Sequence, residues 1–199
     1  MKKMLIIIVT ILCMTIQLSS VNATSTDEAI IDTITCDPWT VYTVYLGMPT
    51  EQFVNNFSRL YDWTNTEYKR ERSLRGKPKY SVEYKRNHSG ETVRVSSLVN
   101  GGVISCTNVV YGDSSYCFQL ATRGMSNLEK KFKTEGNIDY GVDLREVDLG
   151  IVVRTFCARW MDYKNERMCE IAVYKPTLRM MESYSYVQIT RCTFEAVNF

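Results

Sequence analysis

The 199-residue chain has one histidine and four prolines, and past its first two dozen residues it has no apolar run of membrane-spanning length. His88 sits in Asn87-His88-Ser89-Gly90, a surface-turn sequence, and no serine carries a nucleophile-elbow pattern, so a Ser/His/Asp hydrolase has no framework here. No cysteines are spaced C-x-x-C, and one histidine is too few to complete a zinc site. Glu135, Asp139, Asp143, Glu146 and Asp148 are scattered without calcium-loop spacing and read as a solvated acidic face. The inventory predicts a protein without enzymatic activity, cofactor or metal.

What is present begins with a leader. Lys2 and Lys3 precede the apolar stretch Met4 to Leu18, and Val21-Asn22-Ala23 supplies small residues at a cleavage position. Its core, Leu5 to Ile16, is shorter than the roughly 20 residues a spanning helix needs. The reading is a cleaved signal peptide over 1–23, a mature chain starting at Thr24, and a secreted or periplasmic location without stable membrane insertion. Cys13 leaves with the leader, because Leu12 stands where lipoprotein processing requires a small residue. Removing Lys2 and Lys3 leaves 22 basic against 22 acidic residues, which gives nucleic acid no electrostatic hold. The basic run between Tyr68 and His88 is read as the solvated face of a strand whose inner face is Tyr80, Val82 and Tyr84. Asn56 and Asn87 open Asn-x-Ser triplets, which matter only where exported proteins are glycosylated.

Six cysteines remain, Cys36, Cys106, Cys117, Cys157, Cys169 and Cys192, an even number that in an exported chain predicts three disulfides. Residues 151–161 and 167–174 read as a hairpin across 162–166. With Trp160 facing Glu166, Cys157 falls opposite Cys169, within bridging range. Cys106 with Cys117 across the turn 111–114, and Cys36 with Cys192, would complete one scheme. Cys36 with Cys106 and Cys117 with Cys192 form the rival. In the same register Val153, Cys157 and Ile171 face the core, leaving Arg154, Phe156, Trp160, Met168 and Tyr174 on the opposite face. Aromatics, methionine and arginine are the residue types enriched at interfaces, so this face is the candidate binding surface.

Along the chain, Ile30, Ile31 and Ile34 form an apolar stripe, 41–45 an extended stretch and 49–61 a helix opened by Pro49. Three strand patterns follow, around Tyr80 to Tyr84, Thr92 to Val99 and Val103 to Tyr111. A second helix opens at Gly124-Met125 with Ser126 and Glu129 at capping-box spacing and Gly136 as its stop, before a strand at 142–144, the hairpin and a last strand from Tyr184 to Phe194. Gly47-Met48 and Gly124-Met125 lie 77 residues apart, each opening a helix that strands follow. The expected architecture is α+β: two helix-plus-antiparallel-sheet units at 24–115 and 116–199.

Gly47-Met48-Pro49-Thr50-Glu51-Gln52, and more loosely Gly124-Met125-Ser126, resemble the helix openings of the superfamily that holds the beta-lactamase inhibitory protein and the small outer-membrane-assembly lipoproteins. The resemblance covers the order of elements across most of the mature chain. It implies tandem units and protein binding on a sheet surface. The chain departs from it in having Pro49 where a capping hydroxyl is usual, and in lacking a lipobox. The functional expectation is an exported, non-enzymatic protein-binding or inhibitor-like module. A cell-envelope assembly factor stands second, an unrecognised hydrolase third.

Overall fold

The computed structural model describes residues 28–58, 63–72, 78–86, 91–98, 101–133, 138–150, 152–177 and 184–197. The leader, Cys13, His88, Asn87 and Glu135 fall outside the described residues. A helix over 28–35 (α1) leads into a tight ribbon of β1 (Thr40–Val41) and β2 (Val44–Tyr45), then α2 (Thr50–Ser58). Four antiparallel strands follow in sequence: β3 (Trp63–Arg72), β4 (Pro78–Arg86), β5 (Thr92–Leu98) and β6 (Val103–Gly112). After α3 (Ser114–Phe132) come β7 (Asp139–Asp143), the two-residue β8 (Val147–Asp148), β9 (Val152–Asp162), β10 (Arg167–Pro176), β11 (Ser185–Thr193) and the single turn α4 (Phe194–Val197).

The fold is mixed α+β, and its main sheet is one continuous surface ordered β3-β4-β5-β6-β11-β10-β9-β7, with β8 also on β9. Each half of the chain contributes a run of neighbouring strands, and their last members, β6 and β11, pair at the centre from Ser185↔Gly112 to Cys192↔Ser105.

Alternation decides which side is buried. Val82 and Tyr84 of β4, Val93 and Val95 of β5, Cys106 and Val110 of β6, Val187 and Ile189 of β11, Cys169, Ile171 and Val173 of β10, and Phe156, Ala158 and Trp160 of β9 all point one way and are buried. Ile30, Ile31 and Ile34 of α1 join Leu120, Ala121, Leu128 and Phe132 of α3 over the second half. Val41, Val44, Met48 and Phe53 cover the first. Full burial of such an aliphatic side chain contributes about 1.5–3 kcal/mol.

Helix α3 starts ten residues before Gly124. The Asp113 carboxylate accepts from the Tyr116 N–H at 2.9 Å, capping a helix whose buried positions recur at three- and four-residue steps from Cys117 to Phe132. Cys117 is therefore helical, not the second arm of a hairpin with Cys106. Gly124 is an interior helix position pressed against Ile171, where an added Cβ would stand 2.7 Å from Cδ1. Gly47 plays another part. Its φ of 86° lies in the left-handed region, and its N–H donates to Val103 O at 2.8 Å, so the two Gly-Met steps are not equivalent positions.

The hairpin register also differs from the sequence expectation. Trp160 lies opposite Cys169 and Cys157 opposite Ala172, because the connection is the four residues 163–166 flanked by the pair Asp162↔Arg167. The expected register is off by three residues, and an odd slip moves one strand's side chains to the other face. Cys157 and Cys169 therefore occupy opposite faces. The six expected bridging cysteines are separate thiols, Cys36 exposed and the other five buried.

Between the two apolar clusters runs a chain of buried polar groups. The Tyr42 hydroxyl donates to Glu91 Oε2 at 2.7 Å, Asn108 Nδ2 to Glu91 Oε1 at 2.8 Å, and Arg191 Nη1 to Asn108 Oδ1 at 3.3 Å. Arg191 also donates to the carbonyls of Pro38 at 2.9 Å and of Ile34 at the end of α1. Glu91, Asn108 and Arg191 are all fully buried, so each survives only by this mutual satisfaction. Tyr42 has a φ of 54°, a strained value for a bulky side chain, and the carboxylate it reaches helps hold it there.

Candidate functional site

Helices α1, α2 and α3 pack on one face of the sheet, and the opposite face carries none of them. On that open face the pairing registers set side chains in rows running across the strands. One row is aromatic: Tyr111 of β6 lies opposite Tyr186 of β11, which lies opposite Tyr174 of β10, which lies opposite Arg154 of β9. The first two rings are 5.7 Å apart and tilted, the second two 5.0 Å apart and stacked. Exposure falls along the row, from 48% at Tyr111 to 8% at Tyr174.

A charged row runs parallel to it, Glu83, Arg94, Thr107, Thr190, Glu170 and Arg159 on successive strands. Arg94 meets Glu83 at 2.6 Å, and Arg159 grips Glu170 through both Nε, at 2.9 Å, and Nη2. Thr107 and Thr190 share a hydroxyl contact at 3.3 Å, and Gln188 Nε2 donates to Thr190 at 3.1 Å. The surface offers ordered donors and acceptors with its charges already matched.

Of the five residues predicted for a binding face, Arg154, Met168 and Tyr174 lie on the open face and Phe156 and Trp160 do not. Trp160 is 2% exposed, held between Phe132 at 5.2 Å and Tyr140 at 5.3 Å, both stacked, while Phe156 meets Phe118 edge-on at 5.8 Å. These two are core residues of β9. Tyr111, Tyr186, Arg94, Arg159 and Gln188 belong to the face and were missed. Their alternation within β6 and β11 is visible in sequence, but the pairing that puts the three tyrosines in one row joins residues about 75 positions apart.

Burial pushes the phenol of Tyr174 up to about 12, with Glu170 adding to it, and raises Tyr111 and Tyr186 as well. The row therefore stays neutral and donating at physiological pH. Burial likewise lifts the thiols of Cys157 to about 11 and Cys192 to about 12, which leaves them protonated and poorly nucleophilic. Among the described residues no three His, Cys, Asp or Glu side chains gather as a metal site.

Two concavities flank the sheet. A groove of about 930 Å³ lies along α1 and α3, where Arg123 reaches Glu28 at 2.7 Å and Asp32 at 2.5 Å beside the exposed Cys36. Arg123 holds the Asp32 carboxyl below its ordinary value, helped by Asn127 and opposed by burial. A smaller cleft of about 320 Å³ opens at the β7 edge, lined by Asp139, Gly141, Asp143, Arg154, Cys157 and Arg159 among others. No family model, curated protein or solved structure matches this chain.

Proposed function

We propose that the chain is an exported protein-binding module, inhibitor-like in that it holds a partner without chemistry, and that it uses the open face of the sheet. The observation that carries the reading is the row Tyr111, Tyr186, Tyr174 and Arg154 on a surface that α1, α2 and α3 leave open. Tyrosine and arginine are the types that dominate binding energy at interfaces, and stacked rings present large contact area with little side-chain entropy left to lose. Seven strand spacings of about 4.8 Å and alternate rows of about 20 Å give roughly 700 Å², close to the ~800 Å² per partner of a standard interface. Paired charges favour a partner of mixed polarity over a strongly charged polymer. Export rests on the leader sequence.

The tandem arrangement and the kinship with the inhibitory-protein superfamily are part of the same proposal. They are supported by the strand order, in which a helix precedes a run of antiparallel strands in each half and the two runs meet through β6 and β11. The Gly-Met steps lend them no support.

The test is capture by the chain lacking residues 1–23 from its own envelope or medium, compared across two variants. A partner retained by the helix-face variant Gln119→Arg and lost by Tyr111→Ala/Tyr186→Ala, with both variants folded by circular dichroism, supports the reading. A partner that survives the tyrosine substitutions refutes it.

A further inference from the structure

The main sheet follows the path β3-β4-β5-β6-β11-β10-β9-β7, whose midpoint falls between β6 and β11. A two-fold axis laid over the open face along these two strands sets a second copy face to face with the first, at full overlap. It keeps each row at its level and reverses it, so that β4 meets β9, β5 meets β10 and β6 meets β11.

Reversed in this way, the charged row fits itself. Glu83 faces the second copy's Arg159, Arg94 faces its Glu170 and Thr107 its Thr190, and the same contacts recur across the axis. The ion pairs within each copy leave this match intact. Glu83–Arg94 and Glu170–Arg159 are dipoles that point the same way along the row, and the two-fold lays them antiparallel, closing two squares of alternating charge. Among the described residues Arg94 Nε and Nη1 and Arg159 Nη1 have no acceptor, so donors remain to cross the interface.

The next row matches by size. Ser81, Ser96 and Ser105 lie on β4, β5 and β6 at the level of Met161, Met168 and Cys192 on β9, β10 and β11, and the axis sets each serine against a larger sulfur side chain. On the other side of the charged row Thr92 meets Ala172 and Val109 meets Gln188, and one row further Tyr111 meets Tyr186. Among the described residues no level sets like charge against like. A two-fold axis along the charged row itself sets every charge on its own copy, a juxtaposition that opposes association.

The relief of the face suits sheet-on-sheet packing. Glu170 and Tyr174 are each 8% exposed and Ala172 is fully buried, although α1, α2 and α3 lie on the other side, so the long side chains of the face lie flat. Two sheets with aligned strands then pack about 10 Å apart. Full overlap buries roughly 700 Å² of each copy, about 1,400 Å² in all, within the range of specific interfaces and below that of obligate homodimers.

We propose, on the reading of the open face as the binding surface, that a second copy of the chain occupies it in a two-fold dimer centred on β6 and β11. The area and the polar rows give a reversible dimer, with a Kd of about 1–100 µM. Because it covers the tyrosine row, self-association and capture of another protein compete.

The test is sedimentation velocity on the chain lacking residues 1–23, with Glu83→Arg and Arg159→Glu run singly and as an equimolar mixture. The unsubstituted chain should be largely dimeric at about 200 µM. Each variant alone sets like charges across the axis twice and should raise Kd at least about tenfold, whereas the mixture restores opposite charges at both places and should dimerise again. Rescue by mixing comes only from contact between copies, so it holds even if either variant is less stable. Gln119→Arg, on the helix side, should dimerise as the unsubstituted chain does. A monomer at about 1 mM overturns the proposal, as does a dimer that neither variant weakens or a mixture no more dimeric than its components. Capture that depends on Tyr111 and Tyr186 is read separately, so a chain that stays monomeric yet loses its partner with those substitutions refutes the dimer and keeps the binding face.

Discussion

Replacing Trp160 with alanine separates two descriptions of β9. By sequence alternation the indole lies on an exposed face, and its loss costs the fold little. In the structure it is 2% exposed and sandwiched between Phe132 and Tyr140 at 5.2 and 5.3 Å. Truncating a buried Trp to Ala typically costs about 3–5 kcal/mol. Two stacked partners place this site at the upper end, because each aromatic pair is worth about 0.5–1.5 kcal/mol beyond area burial. A loss of about 5 kcal/mol equals the lower bound of total stability for a domain, and at about 2–4 °C per kcal/mol for 150–250 residues it lowers Tm by roughly 10–20 °C. The assay is guanidinium unfolding followed by far-ultraviolet circular dichroism on the chain without its leader, with calorimetry for Tm. Trp160→Phe should lose less than half as much. A Trp160→Ala loss below about 1 kcal/mol would place the indole in solvent and refute the register Trp160↔Cys169 on which the open face depends.

Arg191→Met should destabilise by about 3 kcal/mol or more, since several buried acceptors lose their donor at about 1–3 kcal/mol each, and limited proteolysis should then cut first within 36–45. Asp32 is held below its ordinary 3.8 by the Arg123 hydrogen bond. That contribution is complete above 3.8 and disappears as pH falls through the lower folded value, so Arg123→Ala should lower stability at neutral pH and converge with the unmodified chain well below about pH 4, which flattens the acid limb of the stability curve. A deeper acid limb in the variant would contradict the assignment. With Ellman's reagent and no reductant, the leaderless chain should give one fast thiol, Cys36, in the native state and six after denaturation, because the other five are buried. Fewer than six in denaturant would restore the disulfide expectation.

Local patterns were legible where neighbours in sequence are neighbours in space. The isoleucine stripe became α1, the alternation from Tyr80 to Tyr111 became β4 to β6, and Pro49 immediately precedes α2. The start of α3 escaped because Asp113 also reads as a turn residue, and its capping bond to Tyr116 appears only in three dimensions. Three of the five residues expected to share a face lie together on the open one, and a single cause accounts for the two that do not. Met168 and Tyr174 were assigned from β10, whose faces were read correctly, whereas Phe156 and Trp160 on β9 depended on the length of the connection 163–166. An uncertainty of a few residues there is enough to exchange inside for outside. Pairing of β6 with β11 leaves no local trace at all.

β11 is the last strand in chain order among the described residues and occupies the middle of the sheet. Until it arrives, β6 and β10 are both edges, and neither run of strands has its neighbour. Folding must therefore close on its final strand, with contacts of high sequence separation made together at the end, a topology that slows assembly. A chain threaded from its N-terminus through a membrane would emerge without its central strand, and would stay easily unfolded until nearly all of it had crossed.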